Sequence, residues 1–277
     1  MANIDYSWIG TDGVLSTTTN HRNMADGTTG TLPAVNDRLR IRKGVGTNIT
    51  SAAGTQTAID LDLLYYEDGA TQNVGAAGAP LIYSADLVNL FGSGTFYFKD
   101  GDVTTDLVVC RGPGTFHLDG TSITEIRCYQ GNITMAATLA AVTTLTVEHY
   151  LSAGDVNLSI LDGCGTITTA RVEAGRTTCN AVVTTLDLMG GTWIQETQEI
   201  VTARVGKGGT LIYNSPASTG TATRIDVWGT LYLNISDNVR TITTLHVHRG
   251  GKVIGYTGNA LASTTRVWAD EDCLLAS

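Results

Sequence analysis

The stretches Thr-Leu-Thr-Val (144–147), Thr-Ala-Arg-Val (169–172) and Thr-Leu-Asp-Leu (185–188) share one pattern, in which a short polar and apolar alternation closes on an apolar residue. The pattern recurs at 202–205, 224–227, 244–247 and 264–267. We follow its closing position backwards through Cys128, Val109, Leu90, Leu63 and Ile41. Successive occurrences lie about 20 residues apart, which indicates an internal structural repeat.

A second repeat lies inside the first. Gly-Thr-Phe occurs at 94–96 and 114–116, Gly-Thr-Trp at 191–193, and Gly-Thr-Leu at 209–211 and 229–231. Each glycine follows one alternating run and opens another. A unit therefore holds a strand, a glycine turn, a second strand and a threonine-rich return, which is too short for a strand, a helix and their loops.

Such a unit fits one coil of a β-solenoid, in which each strand pairs with the equivalent strand of the next coil and alternation directs one face inward. The fold predicted is all-β, a single-stranded right-handed parallel β-helix of about 11–12 coils of ~20 residues. We predict an N-terminal capping segment over 1–36, the solenoid over 37–268 and a short C-terminal cap over 269–277.

The amino-acid composition of the chain disfavours several classes of protein function. The 277 residues carry 17 Lys and Arg against 26 Asp and Glu, a net charge of −9, which disfavours nucleic-acid binding. Only 16% of the residues are charged and 42% are hydrophobic, which is typical of a folded chain. The N-terminal residues lack the pattern of a signal peptide, and no apolar run is long enough to predict a membrane span. The five cysteines include no Cys-x-x-Cys pair, which favours free thiols and assembly in a cytoplasm.

Two outward columns flank the inward apolar position. The first is predicted to contain Arg127, Thr146, Arg171, Asp187, Arg204, Asp226, His246 and Arg266. Most of it alternates in charge, and we interpret it as solvent-facing ion pairs of about 0–1 kcal/mol each, or as a subunit interface in which the charges pair between chains. The second is predicted to contain Tyr129, Glu148, Glu173, Met189, Gly206, Trp228, His248 and Trp268.

Glu148 and Glu173 are the catalytic candidates, because adjacent coils would bring them near the ~5 Å that a retaining glycosidase requires, with Arg171 close by. Acidic pairs on successive coils are ordinarily only solvated, so we predict no catalytic role.

Trp228, His248 and Trp268 form an aromatic stripe that could contact sugar rings or a neighbouring subunit. His246-x-His248 with Asp226 one coil away would offer a metal three ligands, without the second-shell support that metal sites need. We therefore predict neither a metal nor a cofactor.

The first forty residues carry a resemblance. The residues Trp8-x-Gly10, Asp12-Gly13, Ser16-Thr17, Asn20, Pro33, Asp37, Leu39 and Ile41 resemble a motif that heads threonine- and glycine-rich β-helix proteins of tailed bacteriophages and of some autotransporter-like bacterial surface proteins. The lack of a signal-peptide pattern favours the phage group. This chain departs from the motif at Val14-Leu15, where a second tryptophan is usual, and at His21, where another is usual.

The resemblance implies a non-enzymatic structural virion protein, assembled in the host cytoplasm, that decorates or stabilises a capsid. Its implied partners are copies of itself, as a homotrimer, and the major capsid protein or other virion proteins, with neither nucleic acid nor membrane. Two alternatives remain open. One is a phage tail or cell-surface adhesin that binds glycan, and the other is a polysaccharide-degrading β-helix enzyme.

Overall fold

The computed structural model describes residues 4–10, 13–14, 17–44, 48–49, 60–101, 103–148, 156–215, 221–233, 239–256, 261 and 265–276. Within these ranges the chain is almost entirely β, with one 3₁₀ turn at Thr18–Asn20 and no α-helix. None of these residues forms a helix that could cross a bilayer.

The strands, in chain order, are β1 (Asp5–Trp8), β2 (His21–Asn23), β3 (Arg38–Ile41), β4 (Asp60–Tyr66), β5 (Leu81–Ile82), β6 (Ser84–Leu90), β7 (Thr95–Lys99), β8 (Thr105–Cys110), β9 (Thr115–Asp119), β10 (Ile123–Cys128), β11 (Gly131–Met135), β12 (Ala141–Val147), β13 (Val156–Ile160), β14 (Thr166–Val172), β15 (Arg176–Cys179), β16 (Val183–Gln195), β17 (Ile200–Tyr213), β18 (Thr221–Val227), β19 (Thr230–Tyr232), β20 (Thr241–Val247), β21 (Lys252–Ile254), β22 (Arg266–Ala269) and β23 (Leu274–Ala276).

Two parallel sheets run the length of the molecule and confirm the β-solenoid. The first stacks β1, β3, β4, β6, β8, β10, β12, β14, β16, β17, β18, β20 and β22. The second stacks β5, β7, β9, β11, β13, β15, β16, β17, β19, β21 and β23. The result is about ten turns of ~20 residues.

Strands β16 and β17 each serve both sheets, and the corner between the sheets lies at a register shift between Leu188 and Gly190. A Cβ at Gly190 would lie 2.2 Å from the carbonyl oxygen of Glu173, and Gly191 has a φ of +73°. Glycine is required here because the backbones of successive coils approach closely and one residue adopts a left-handed conformation.

One inward column links the coils through the core. It contains Ile41, Tyr66, Leu90, Cys110, Cys128, Val147, Val172, Leu188, Val205, Val227 and Val247. All eleven are 0% exposed. Each coil therefore contributes an apolar side chain that is buried between the coils before and after it.

The predicted column was wrong at Val109 and Leu63. Val109 lies beside Arg127, and Cys110 occupies the inward place. Leu63 pairs with Arg38, and Tyr66 lies beside Ile41. Both errors fall in runs with many consecutive apolar residues, where alternation does not fix the register.

The last coil is offset by two residues from its predicted register. Val267 pairs with Leu245, and Ala269 with Val247. Arg266 consequently lies beside Thr244, outside the charged column, and Trp268 lies beside His246. A shift of two keeps every side chain on its own face, so the sequence pattern could not reveal it.

The N-terminal segment extends the first sheet as well as covering it. Strand β1 pairs parallel with β3 and antiparallel with β2. Trp8 is 0% exposed, and the His21 ring meets it edge-on at 5.5 Å. A Cβ at Gly10 would lie 2.1 Å from the Trp8 ring, which explains the spacing Trp8-x-Gly10. The Asp37 carboxylate accepts hydrogen bonds from the amides of Ile4 (2.9 Å) and Ala34 (2.8 Å) and so ties this segment to the first coil.

Replacing Val205 by Asp tests the inward register. Val205 is 0% exposed between Leu188 and Val227, so an unpaired carboxylate there should lower the free energy of unfolding by about 4 kcal/mol or more. Lys207→Asp, at an exposed position near the same corner, is the control and should change it by less than about 1 kcal/mol. Urea unfolding followed by circular dichroism measures both. A Val205→Asp protein as stable as its parent would refute the register.

Thiol reactivity tests the core independently. Cys110, Cys128, Cys164 and Cys179 are buried, and Cys273 is partly exposed. Burial raises the pKa of Cys164 to about 11 and of Cys179 to about 12, so little thiolate forms at neutral pH. We expect one rapidly reacting thiol per native chain with a thiol-disulfide reagent, and five after unfolding. Cys273→Ser should remove the rapid phase, and several rapid thiols in the native protein would contradict the packed core.

Candidate functional site

The first outward column has its predicted composition from Arg127 to His246. Backbone register places Arg127, Thr146, Arg171, Asp187, Arg204, Asp226 and His246 in succession, and Trp268 follows in place of Arg266. Among the described residues, Arg171, Asp187 and Arg204 form no ion pair with one another within 4.0 Å. Arg127 pairs instead with Glu125 on its own strand, at 2.7 Å. Within the described part of the chain, ion pairs therefore do not neutralise the middle of this charged ladder.

Glu148 and Glu173 lie on adjacent coils, as the sequence predicts. The Glu148 amide donates to Cys128 and the Glu173 amide to Val147, each at the end of its strand. Glu173 and Arg171 are exposed and Glu148 is half-buried. Neither glutamate forms an ion pair with a described residue, so Arg171 is not held against them.

The polar side chains converge at the other end of this face, around Asp226. Arg224 donates two hydrogen bonds to the Asp226 carboxylate, one from Nε to Oδ2 (2.6 Å) and one from a terminal guanidinium nitrogen to Oδ1 (2.9 Å). His248 Nε2 lies 3.1 Å, and His246 Nδ1 3.8 Å, from Asp226 Oδ1. Partial burial opposes ionisation of Asp226, but the hydrogen bonds from Arg224 and His248 outweigh it and lower the pKa of the carboxyl.

Asp270 completes the cluster from the last coil. Its amide donates to Val247, so it occupies the place after His248 that the sequence assigned to Trp268. Its Oδ1 lies 3.1 Å from His246 Nε2 and its Oδ2 lies 3.6 Å from His248 Nδ1. The hydrogen bond with His246 lowers the pKa of Asp270. Each imidazole therefore has Asp226 near one nitrogen and Asp270 near the other.

The predicted aromatic stripe is interrupted, because Trp268 lies beside His246 and Asp270 takes the place after His248. Trp228 stacks on His248 with ring centroids 3.7 Å apart and 4° between planes, and Arg204 lies 5.3 Å from the Trp228 centroid. Trp268, by contrast, is 62% exposed. Trp228 thus acts chiefly as a support for His248, while Trp268 presents a free aromatic surface.

A groove on the second sheet was not predicted. Tyr97 and His117, on adjacent coils, stack at 4.2 Å with 6° between planes, and Lys99 pairs with Asp119 at 3.9 Å beside them. Together with Pro80 on the preceding segment, these residues line a cavity of about 450 Å³. Burial lowers the pKa of His117, which favours its neutral form.

A sequence signal for the groove does exist. Tyr97 and His117 each follow a Gly-Thr-Phe triplet, so the repeat places them at the same position of successive coils. No comparable signal exists for Asp270, because the offset of the last strand conceals its position.

Comparison with known protein families, with curated proteins and with solved structures finds no match to this chain.

Proposed function

We propose that this chain is a non-enzymatic structural protein of a tailed-bacteriophage particle, a β-solenoid rod that decorates and stabilises the capsid as a homotrimer. The observation that carries the proposal is the construction of the N-terminal segment. The described residues that resemble the phage motif include several that pack together there.

The motif residues have distinct structural roles in this unit. Trp8 and Leu39 are buried, Gly10 makes room for the Trp8 ring, and Asp37 binds two backbone amides. His21, which departs from the motif, fills the space against Trp8 with a smaller ring. Asp12 and Ser16 lie outside the described residues. Several of the described motif residues pack together instead of lying separately on the surface, and this packing strengthens the support that the resemblance gives to the proposal.

The charged column supports an interface. Arg171 and Arg204 are exposed on either side of the half-buried Asp187. Charges that remain unpaired within a chain are suited to pairing between chains, where they fix the orientation of the subunits. A symmetric oligomer would repeat each such contact at every interface.

Solution mass and one charge reversal test the oligomer. Light scattering after size exclusion should give about three times the chain mass of 29.2 kDa. Arg204→Glu would place like charges beside Asp187 and should shift the protein toward monomer, whereas Lys207→Glu at an exposed corner is the control. A monomeric parent protein would contradict the trimer.

Labelling of particles tests the location. Antibodies against the purified chain should label the heads of intact virions in electron micrographs, and the purified chain should bind saturably to particles that lack it. Labelling of tails only would contradict capsid decoration, and absence of the chain from particles would contradict the virion role.

The groove favours a second candidate function, which is glycan recognition by an adhesin. Tyr97 and His117 supply an aromatic wall, and Lys99 and Asp119 supply polar groups at its edge. Apolar walls with a few fixed polar groups are typical of small-ligand sites.

Two variants separate the groove from the aromatic stripe. Tyr97→Ala should reduce binding to an oligosaccharide panel at least about tenfold, because it removes the aromatic wall. Trp268→Ala should leave that binding unchanged, since Trp268 lies on the other sheet. Loss of binding in Trp268→Ala alone would assign recognition to the stripe, and no binding by the parent protein would exclude this candidate.

A further inference from the structure

We infer that Asp226, His246 and His248 form a binding site for one divalent transition-metal ion, zinc in the first instance, and that the Asp270 carboxylate lies behind the two imidazoles, on the side away from the ion. The inference is independent of the proposed virion role. It concerns the outer face of the first sheet, where β18, β20 and the segment after β22 bring the four side chains together.

The separations between the three candidate ligand atoms are already close to those between the ligands of one bound ion. His248 Nε2 and His246 Nδ1 lie 3.1 and 3.8 Å from Asp226 Oδ1, and one ligand atom from each residue fits within a mutual separation of 4.8 Å. Tetrahedral zinc with bonds of about 2.0–2.2 Å separates its ligands by about 3.4 Å. An ion could therefore be bound with small side-chain movements.

Asp270 supplies what a three-ligand surface cluster ordinarily lacks. Its two oxygens lie near His246 Nε2 (3.1 Å) and His248 Nδ1 (3.6 Å), on the sides of the rings that face away from Asp226. A carboxylate that accepts the second N–H of an imidazole fixes the ring and leaves the other nitrogen free to bind metal. Asp270 provides this hydrogen bond to His246, whereas at 3.6 Å from His248 Nδ1 it lies near the second ring without a hydrogen bond to it.

The two histidines are restrained by their surroundings, which favours metal binding. His248 is held by the parallel stack on Trp228. His246 lies in β20 and His248 directly follows the last residue of that strand, so the backbone sets their spacing. Asp226 also accepts two hydrogen bonds from Arg224, whose side chain is 55% exposed. Because Arg224 can swing into solvent, a cation would compete with it for the carboxylate.

The chemistry of the three ligand atoms determines which class of metal ion the site prefers. Two imidazole nitrogens and one carboxylate oxygen suit Zn²⁺ and its neighbours, while Ca²⁺ and Mg²⁺ prefer oxygen ligands alone. Three protein ligands leave a fourth position for water or for a group from a partner.

Zinc titration of the full chain by calorimetry tests the inference. A Cys273→Ser background removes the partly exposed thiol, which is the strongest competing ligand among the described cysteines. We expect one zinc per chain, and Co²⁺ bound at the same site should show the intense visible absorption of a four-coordinate ion. Magnesium at the same concentration should give no binding.

Single variants assign the roles. His246→Ala, His248→Ala and Asp226→Asn should each abolish saturable binding, and Asp270→Asn should weaken it about 10–100-fold. Arg224→Ala keeps every ligand and should bind as tightly as the parent or more tightly, because it removes the competitor. His117→Ala removes a comparably stacked imidazole from the other sheet and should change nothing. Equal thermal midpoints show that the variants remain folded.

Two results would overturn the site. One is unchanged stoichiometric binding in His248→Ala or Asp226→Asn, or no binding by the parent. The other is binding that needs the histidines but is indifferent to both Asp226→Asn and Asp270→Asn, which would reduce the cluster to capture by His-x-His alone.

Discussion

The structure depends on the stacking of one coil on the next. No coil has a closed interior of its own, because the side chains that it directs inward are covered by those of the coils before and after it and by inward residues of the other sheet, as where the Tyr66 and Phe96 rings lie 5.1 Å apart. The column through Cys128, Val147 and Val172 is fully buried for this reason. Parallel backbone hydrogen bonds hold the coils in register, and apolar burial makes the register favourable. A change at one inward position therefore affects at least three coils.

The same stacking determines what the outer surface can do. Residues that are about 20 positions apart in sequence become neighbours, so any outward position generates a column of side chains. Function on such a fold requires a few successive coils to place complementary side chains at one position, as the described surface does around Asp226 and around Tyr97.

The repeat was predictable because alternation and glycine turns recur with one period. The register was predictable wherever polar and apolar residues alternate cleanly, as from Arg127 to His246. It was not predictable in the apolar runs around Leu63 and Val109, because consecutive apolar residues do not mark which face is inward. It was not predictable in the last coil either, because a shift by two residues preserves the pattern of faces. The candidate site shows the consequence. Asp226, His246 and His248 were identifiable from the sequence, whereas the contribution of Asp270 depends on an offset that only the structure reveals.

The two-residue offset of the last coil changes which side chains surround His246 and His248. In the predicted register Trp268 would follow His248 and Arg266 would follow His246, so the two imidazoles would face an indole and a guanidinium. The observed register places Asp270 after His248 and Trp268 beside His246, which gives both imidazoles a carboxylate on the side away from Asp226. The offset thereby orients two histidines that would otherwise be exposed members of the charged ladder. Trp228 stacks on the His248 ring, and Asp226 and Asp270 lie on opposite sides of the pair. The terminal offset thus changes a repetitive surface into a local arrangement that the other coils of the described face do not repeat.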